Sequence, residues 1–287
     1  MKFRLHILFM TFMAILPNFA QAGPFEYFHT LSLGYGRDTN LTMEINKEDR
    51  LDDWATKLGL TFGAGREVGR GRRFSWFADV DAIRRKDVGE LDRNRFALGL
   101  SYRTKQGLGR FAPYWKATLT ESWLRFDDGL RDASQLNIGL EYGARLNERF
   151  QWSVSLDADY NSGKNTEVFN GQGVSGKLSG SYRLNDNLSI AGHFRHRKGE
   201  VVVQNDAHYI YEDTRAYDDR FWHSHGNSAR KVITRLDDST TDEWGFGLSY
   251  SLNRRSTLSL AFAKHETRYE DFLYDGQLIS LTYIIGF

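Results

Sequence analysis

The sequence predicts an all-β protein: a transmembrane antiparallel up-and-down β-barrel of about twelve strands. Three observations predict it. Apolar and polar residues alternate with a period of two through successive segments, so each segment has one oily and one wetter face. The links between segments alternate between short turns and long polar stretches. The closing stretch, residues 277–287, places Ile279, Leu281, Tyr283, Ile285 and Phe287 on one face and Ser280, Thr282 and Gly286 on the other, with Ile284 the exception.

The segments can be read in chain order. Tyr27, Leu31, Leu33 and Tyr35 oppose Thr30, Ser32, Gly34 and Gly36. Trp54, Leu58, Leu60 and Phe62 oppose Lys57, Gly59, Thr61 and Gly63. Phe74, Trp76, Ala78 and Val80 oppose Ser75, Asp79 and Asp81, and Phe96, Leu98, Leu100 and Tyr102 oppose Arg95, Gly99, Ser101 and Arg103. The same pattern continues through Trp115 to Trp123, Leu136 to Tyr142, Phe150 to Tyr160, Val174 to Tyr182, Leu188 to Phe194, Trp244 to Tyr250 and Leu258 to Phe262. Glu121 has the parity of Leu119 and Trp123, which aims it at lipid; a bulge near Thr120 or a position above the membrane would resolve the conflict.

Gly69-Arg70-Gly71, Gly107-Leu108-Gly109, Asn147-Glu148-Arg149, Asn185-Asp186-Asn187 and Asn253-Arg254-Arg255 are turn-forming residues. Longer links fall at residues 38–52, 86–94, 127–134, 161–173, 204–241 and 269–276. In a membrane barrel the long loops lie outside the cell, which makes 204–241 a long extracellular loop. It carries Tyr209, Tyr211, Tyr217, Phe221 and Trp222 among charges and exceeds the length of an idle connection. Its flanks, residues 201–203 and 231–233, are expected to extend the hairpin above the membrane. Phe62, Tyr102, Tyr142 and Tyr182 fall 40 positions apart, as an aromatic girdle at the short-turn end would require.

At the start, Lys2 and Arg4 precede an apolar run over residues 7–16, then Pro17 and Ala20-Gln21-Ala22. This reads as a signal peptide over residues 1–22, with residues 23–287 forming a single barrel domain. The run is short of the ~20 residues a spanning helix needs. There is no Cys, so disulfides and thiolate metal sites are excluded. Aromatics reach 14% although mean hydropathy is negative. A barrel wall, with only every second residue on lipid, reconciles the two. A net charge of +1 argues against a nucleic-acid partner.

The closing strand, with Tyr283, Ile285 and the aromatic terminus Phe287, resembles the terminal strand of Gram-negative outer-membrane β-barrels. The resemblance implies a cell outer-membrane location, contact with membrane lipid and lipopolysaccharide, and recognition of those three residues by the barrel-assembly machinery. The run Tyr35-Gly36-Arg37-Asp38-Thr39-Asn40 resembles the first-strand signature of porin-like barrels and of the barrel of surface lipoprotein assembly modifiers. Neither resemblance names a substrate.

Candidate chemistry is sparse. The run 221–228 is similar to the His-x-Ser-Asn-Gly run of outer-membrane phospholipase A, but His225 stands where the nucleophilic Ser would be. Asp79-Val80-Asp81 and Asp206-Ala207-His208 have the spacings of the omptin proteases. Their heights on a tilted strand differ by roughly 30 Å, too far to share one water. No catalytic residue, metal site or cofactor is therefore assigned. By parity the inward basic residues are Lys57, Arg85, Arg95, Arg103, Lys116, Arg145, Lys177, Arg183, Arg195 and Arg197; the inward acids are Asp79, Asp81, Glu141, Asp157, Asp159 and Glu243. Basic residues in a pore wall favour anions. The expected function is a narrow passive channel for small hydrophilic, anionic solutes. A surface enzyme (protease or lipid hydrolase) sited in 204–241 and a structural or secretion-associated barrel with a closed lumen are the alternatives.

Overall fold

The computed structural model describes residues 24–44, 50–107, 109–206, 216–218 and 231–287. Twelve long strands form one closed antiparallel barrel. They are β1 (Glu26–Asp38), β2 (Asp53–Gly69), β3 (Arg72–Arg85), β4 (Arg93–Lys105), β5 (Tyr114–Phe126), β6 (Ala133–Arg145), β7 (Phe150–Gly163), β8 (Gly171–Arg183), β9 (Leu188–Asp206), β11 (Lys231–Ser251), β12 (Ser256–Tyr269) and β13 (Phe272–Gly286). A three-residue strand, β10 (Ala216–Asp218), pairs with the start of β11. Every neighbour pairing is antiparallel, and β1 closes the cylinder by pairing β13 from Thr30↔Gly286 to Asp38↔Leu278. Closure leaves no strand edge in the bilayer, where an unpaired backbone amide has no water to bond.

The alternation decides the two faces. Leu33, Leu58, Leu60, Val80, Leu98, Ile138, Leu156, Leu178, Phe246 and Leu281 are exposed on the outside, as lipid contact requires. Two rows of rings bound this band. Toward the short turns, Phe62 meets Trp76 at 5.4 Å and Tyr142 meets Trp115 at 4.8 Å. Toward the long loops, Tyr35 stacks on Trp54 at 4.9 Å, Phe96 on Trp123 at 5.5 Å and Phe194 on Trp244 at 6.2 Å. Of the two ways to resolve the Glu121 conflict, a bulge near Thr120 is not the one used. The β4–β5 register runs unbroken from Arg93↔Phe126 to Lys105↔Tyr114, so Glu121 keeps its outward parity between Leu98 and Leu136. It sits two residues from Trp123, within reach of the headgroup layer for a carboxylate that snorkels.

Inward glycines seat large side chains from the neighbouring strand. A Cβ on Gly99 would fall 2.0 Å from the Phe77 ring, one on Gly63 2.4 Å from Phe28, and one on Gly245 2.1 Å from the His193 ring. Each ring therefore lies flat along the wall instead of standing across the bore. Gly99→Leu is expected to lower the unfolding free energy of the barrel, read by urea titration, by about 1–3 kcal/mol through overpacking. Adding Phe77→Ala should recover most of the loss; a double variant no more stable than Gly99→Leu would argue against the seat.

The expected loop 204–241 is shorter than the sequence suggested, because main-chain pairing continues up both arms. β9 and β11 stay paired from Leu188↔Tyr250 to Asp206↔Lys231, with one irregularity between Leu236 and Ser239. The flanks 201–203 and 231–233 are thus strand. Above the irregularity Val203, Thr234 and Leu236 are fully buried. Val203, Leu236 and Tyr274 pack together, with Met43, Val201, Tyr269 and Phe272 around them. The hairpin thus leans over the rim toward β13 and the β1–β2 loop.

That loop is folded by the run flagged in the sequence. Asn40 Nδ2 donates to the carbonyls of Glu44 (2.9 Å) and Asp275 (2.8 Å), and its Oδ1 accepts from Glu44 N at 2.7 Å. Gln204 N donates to Thr42 O at 3.0 Å, fastening the tall hairpin to the loop. Arg37 pairs with Asp52 at the loop's far end, and its guanidinium holds the Asp52 carboxyl below the ordinary carboxylate range.

Candidate functional site

The lumen is the candidate site, and its wall has two chemistries. From β11 round to β2 many inward positions are small or hydroxylic, with Glu243 and Lys57 as charged exceptions. Ser249 and Ser259 share a hydrogen bond at 2.9 Å, Thr241 and Thr267 one at 2.8 Å, and Ser32 donates to Gly59 O at 3.4 Å. From β3 to β9 the inward positions carry most of the charge. A cavity of about 350 Å³ lies between the two, lined by Ser153, Lys177, Ser179, Ala191, His193, Ala261, Ala263, Leu278 and Ser280.

The charges fall into paired and unpaired groups. Two clusters in the half of the bore toward the long loops are paired. Arg95 lies 2.5 Å from Asp81 and 3.8 Å from Asp79, and Arg93 lies 3.5 Å from Asp81. Arg197 makes a two-point contact with Asp159 at 2.7 and 3.0 Å. Such pairs neutralise each other and brace the wall.

Elsewhere the pairing fails, at Lys57 and Arg85 near the long loops and at the other cations lower in the bore. Among the described residues no carboxylate lies within 4 Å of Lys57, Arg85, Arg103, Lys116, Arg145, Lys177, Arg183 or Arg195. The acids that could have served them are engaged elsewhere. Glu141 accepts from the Tyr114 hydroxyl at 2.6 Å although it stands directly across from Lys116. Asp157 accepts from Ser155 at 2.8 Å, and Glu243 bonds the His193 ring at 2.8 Å. Arg103 instead lies over the Tyr114 ring, 4.1 Å from its centre.

Register makes two of these contacts like-charge pairs. Lys177 on β8 faces Arg195 on β9, and Arg103 on β4 faces Lys116 on β5. Like charges directly across a strand pair are destabilising. Arg195 has only the Ser175 hydroxyl, at 3.2 Å, and Lys177 borders the cavity. Lys177 stands six residues from the end of β8, roughly 15 Å above the short-turn rim on a tilted strand.

No family model and no curated protein matches the sequence. Solved structures do match in shape. An outer membrane channel from Pseudomonas putida F1 is similar over 90% of this chain and 95% of its own, with a TM-score of 0.55 and 12% identity. The fold is a closed antiparallel β-barrel of the outer-membrane type. The channel DcaP of Acinetobacter baumannii is similar over 95% of this chain and 99% of its own, with a TM-score of 0.45 and 9% identity. The KdgM porin in complex with oligogalacturonate covers 89% of this chain and 99% of its own, with a TM-score of 0.44 and 9% identity.

Of the other sequence candidates, Asp79 and Asp81 lie on β3 beside Arg95, while His208 and residues 221–228 lie outside the described residues. Tyr114, whose hydroxyl engages Glu141 across from Lys116, is not singled out by parity alone. Its signal was faint: one aromatic at an inward position at the start of a strand.

Proposed function

We propose that the protein is a passive outer-membrane channel of a Gram-negative bacterium for small hydrophilic solutes, with a preference for anions. The observation that carries this reading is the Lys177–Arg195 pair, two cations facing each other across the β8–β9 register with no carboxylate within 4 Å among the described residues, Lys177 bordering the cavity. In a bore walled by low-dielectric lipid and protein, fixed charge is focused onto the solute path. The facing hydroxyl and glycine wall offers weak, exchangeable hydrogen bonds, which suit passage better than capture. The short turns face the periplasm in this reading, and the long loops face out. Reversal potential of the refolded protein across a potassium chloride gradient tests it. Chloride preference is expected, and cation preference would overturn it.

A closed-lumen barrel is the second reading, favoured by the packing of the β9–β11 hairpin onto Tyr274 and Met43. Under it no ion current appears until that hairpin is displaced. The enzyme alternative concerns residues that are largely outside those described.

Tyr283, Ile285 and Phe287 are proposed as the signal read by the assembly machinery, and lipopolysaccharide as the outer-leaflet neighbour. Phe287 N also donates to His29 O at 3.0 Å, and its ring meets His29 at 6.2 Å, so it helps to close the β1–β13 seam. Deleting Phe287 should reduce heat-modifiable barrel in outer-membrane fractions several-fold; undiminished levels would remove the assembly role.

A further inference from the structure

We infer a second anion site at the short-turn mouth, formed by Arg145, Arg149 and Arg183, that takes small anions bearing two or more negative charges, such as phosphates or polycarboxylates. A polar cavity of about 380 Å³ opens there between the β6–β7 and β8–β9 turns, and all three arginines line it. Two acids border the same cavity. Glu148 is committed outward to Arg110 at 2.7 Å, which leaves Asp186 against three guanidinium groups. None of the three has a carboxylate within 4 Å among the described residues. Arg145 only donates from Nε to Gln151 Oε1 at 3.3 Å, leaving its terminal nitrogens for another acceptor.

The arrangement is held in advance. Asn147 Oδ1 accepts from Arg149 N and Phe150 N, both at 2.8 Å, and Asn185 Oδ1 accepts from Asn187 N and Leu188 N at 2.9 and 2.8 Å. Arg183 N donates to Arg149 O at 2.8 Å, joining the two turns. Arg145 and Arg183 end β6 and β8, with β7 between them. Two strand spacings set them roughly 10 Å apart, a gap that two arginine forks can bridge onto one dianion but not onto each other. A monovalent ion can satisfy one fork at a time. A divalent one engages two, and this is the basis of the selectivity.

As the last station of the path that Lys177 and Arg195 begin, the site rests on the channel reading for its role, though not for its existence. The test is calorimetric titration of the folded, detergent-held barrel with pyrophosphate at neutral pH and low salt. Binding is expected in the unaltered protein, at least tenfold weaker in Arg145→Gln/Arg183→Gln, and unaltered in Lys164→Gln at the opposite end. Heat-modifiable migration establishes that each variant is folded, and single Arg145→Gln serves if the double variant is not. No binding by the unaltered protein, or equal binding by the folded variants, overturns the site. Binding that survives when the bilayer current is absent keeps the site and removes the channel.

Discussion

Lys177→Glu/Arg195→Glu is expected to invert the ion preference of the barrel, turning a chloride-favouring reversal potential into a potassium-favouring one. The physical basis is proximity without neutralisation. An ion passing about 8 Å from one wall charge feels roughly 0.5 kcal/mol at the dielectric of water and 2 kcal/mol at an effective dielectric of 20. Two charges that each change by two units therefore shift an anion's energy by about 2 kcal/mol even at the weak limit. That moves the permeability ratio by more than about tenfold. Salt screens the effect with a length of about 10 Å at 0.1 M, so the shift should shrink at molar salt. Arg95→Glu is the informative contrast. It breaks an ion pair with Asp81, whose side chain is only 3% exposed, so its main consequence should be lost stability. The Lys177 and Arg195 pair carries the opposite signature: Lys177→Gln removes a like-charge contact and should leave stability unchanged or raised by a few tenths of a kcal/mol. Inversion by Arg95→Glu and not by the pair would place the selectivity elsewhere.

Gly199→Val is expected to unseat the tall hairpin and increase the current through the mouth. Gly199 has φ +157°, and a Cβ there would fall 2.4 Å from Gln172 O and 2.4 Å from Gly173 Cα. Both are backbone atoms of β8, so no rotamer change relieves the clash. Asp238 across the pair has φ +57°, and the register slips between Leu236 and Ser239. The two positions form the bend that carries Val203 and Leu236 onto Tyr274. A branched side chain at Gly199 should force β8 and β9 apart at a cost of about 2–4 kcal/mol. Below the bend the barrel keeps its pairing from Leu188 to Lys198 and should still migrate as folded. Larger or more frequent openings in single-channel records are the expected readout. Unchanged conductance in a destabilised barrel would show that the hairpin does not gate the bore.

What the sequence determined by itself was everything with a period of two. The outward faces of Leu58, Phe96, Leu140 and Leu281, the twelve strands, the aromatic rows and the short turns follow from alternation, because a strand has only two faces and the bilayer accepts only one kind. Register is different in kind. That Lys177 stands across from Arg195, or that Glu141 is taken by Tyr114 and not by Lys116, depends on how far each strand slides against the next. A one-residue slide changes every partner. The same holds for Gly99 and Gly63, visible as inward glycines but not as seats for Phe77 and Phe28. The tall hairpin reads as loop from residue 204 in the sequence because its inner residues Val203 and Leu236 are covered by Tyr274 and Met43 from distant parts of the chain. Local pattern therefore decided which residues face the water in the bore, and only the closed barrel decided which of their charges are left uncancelled.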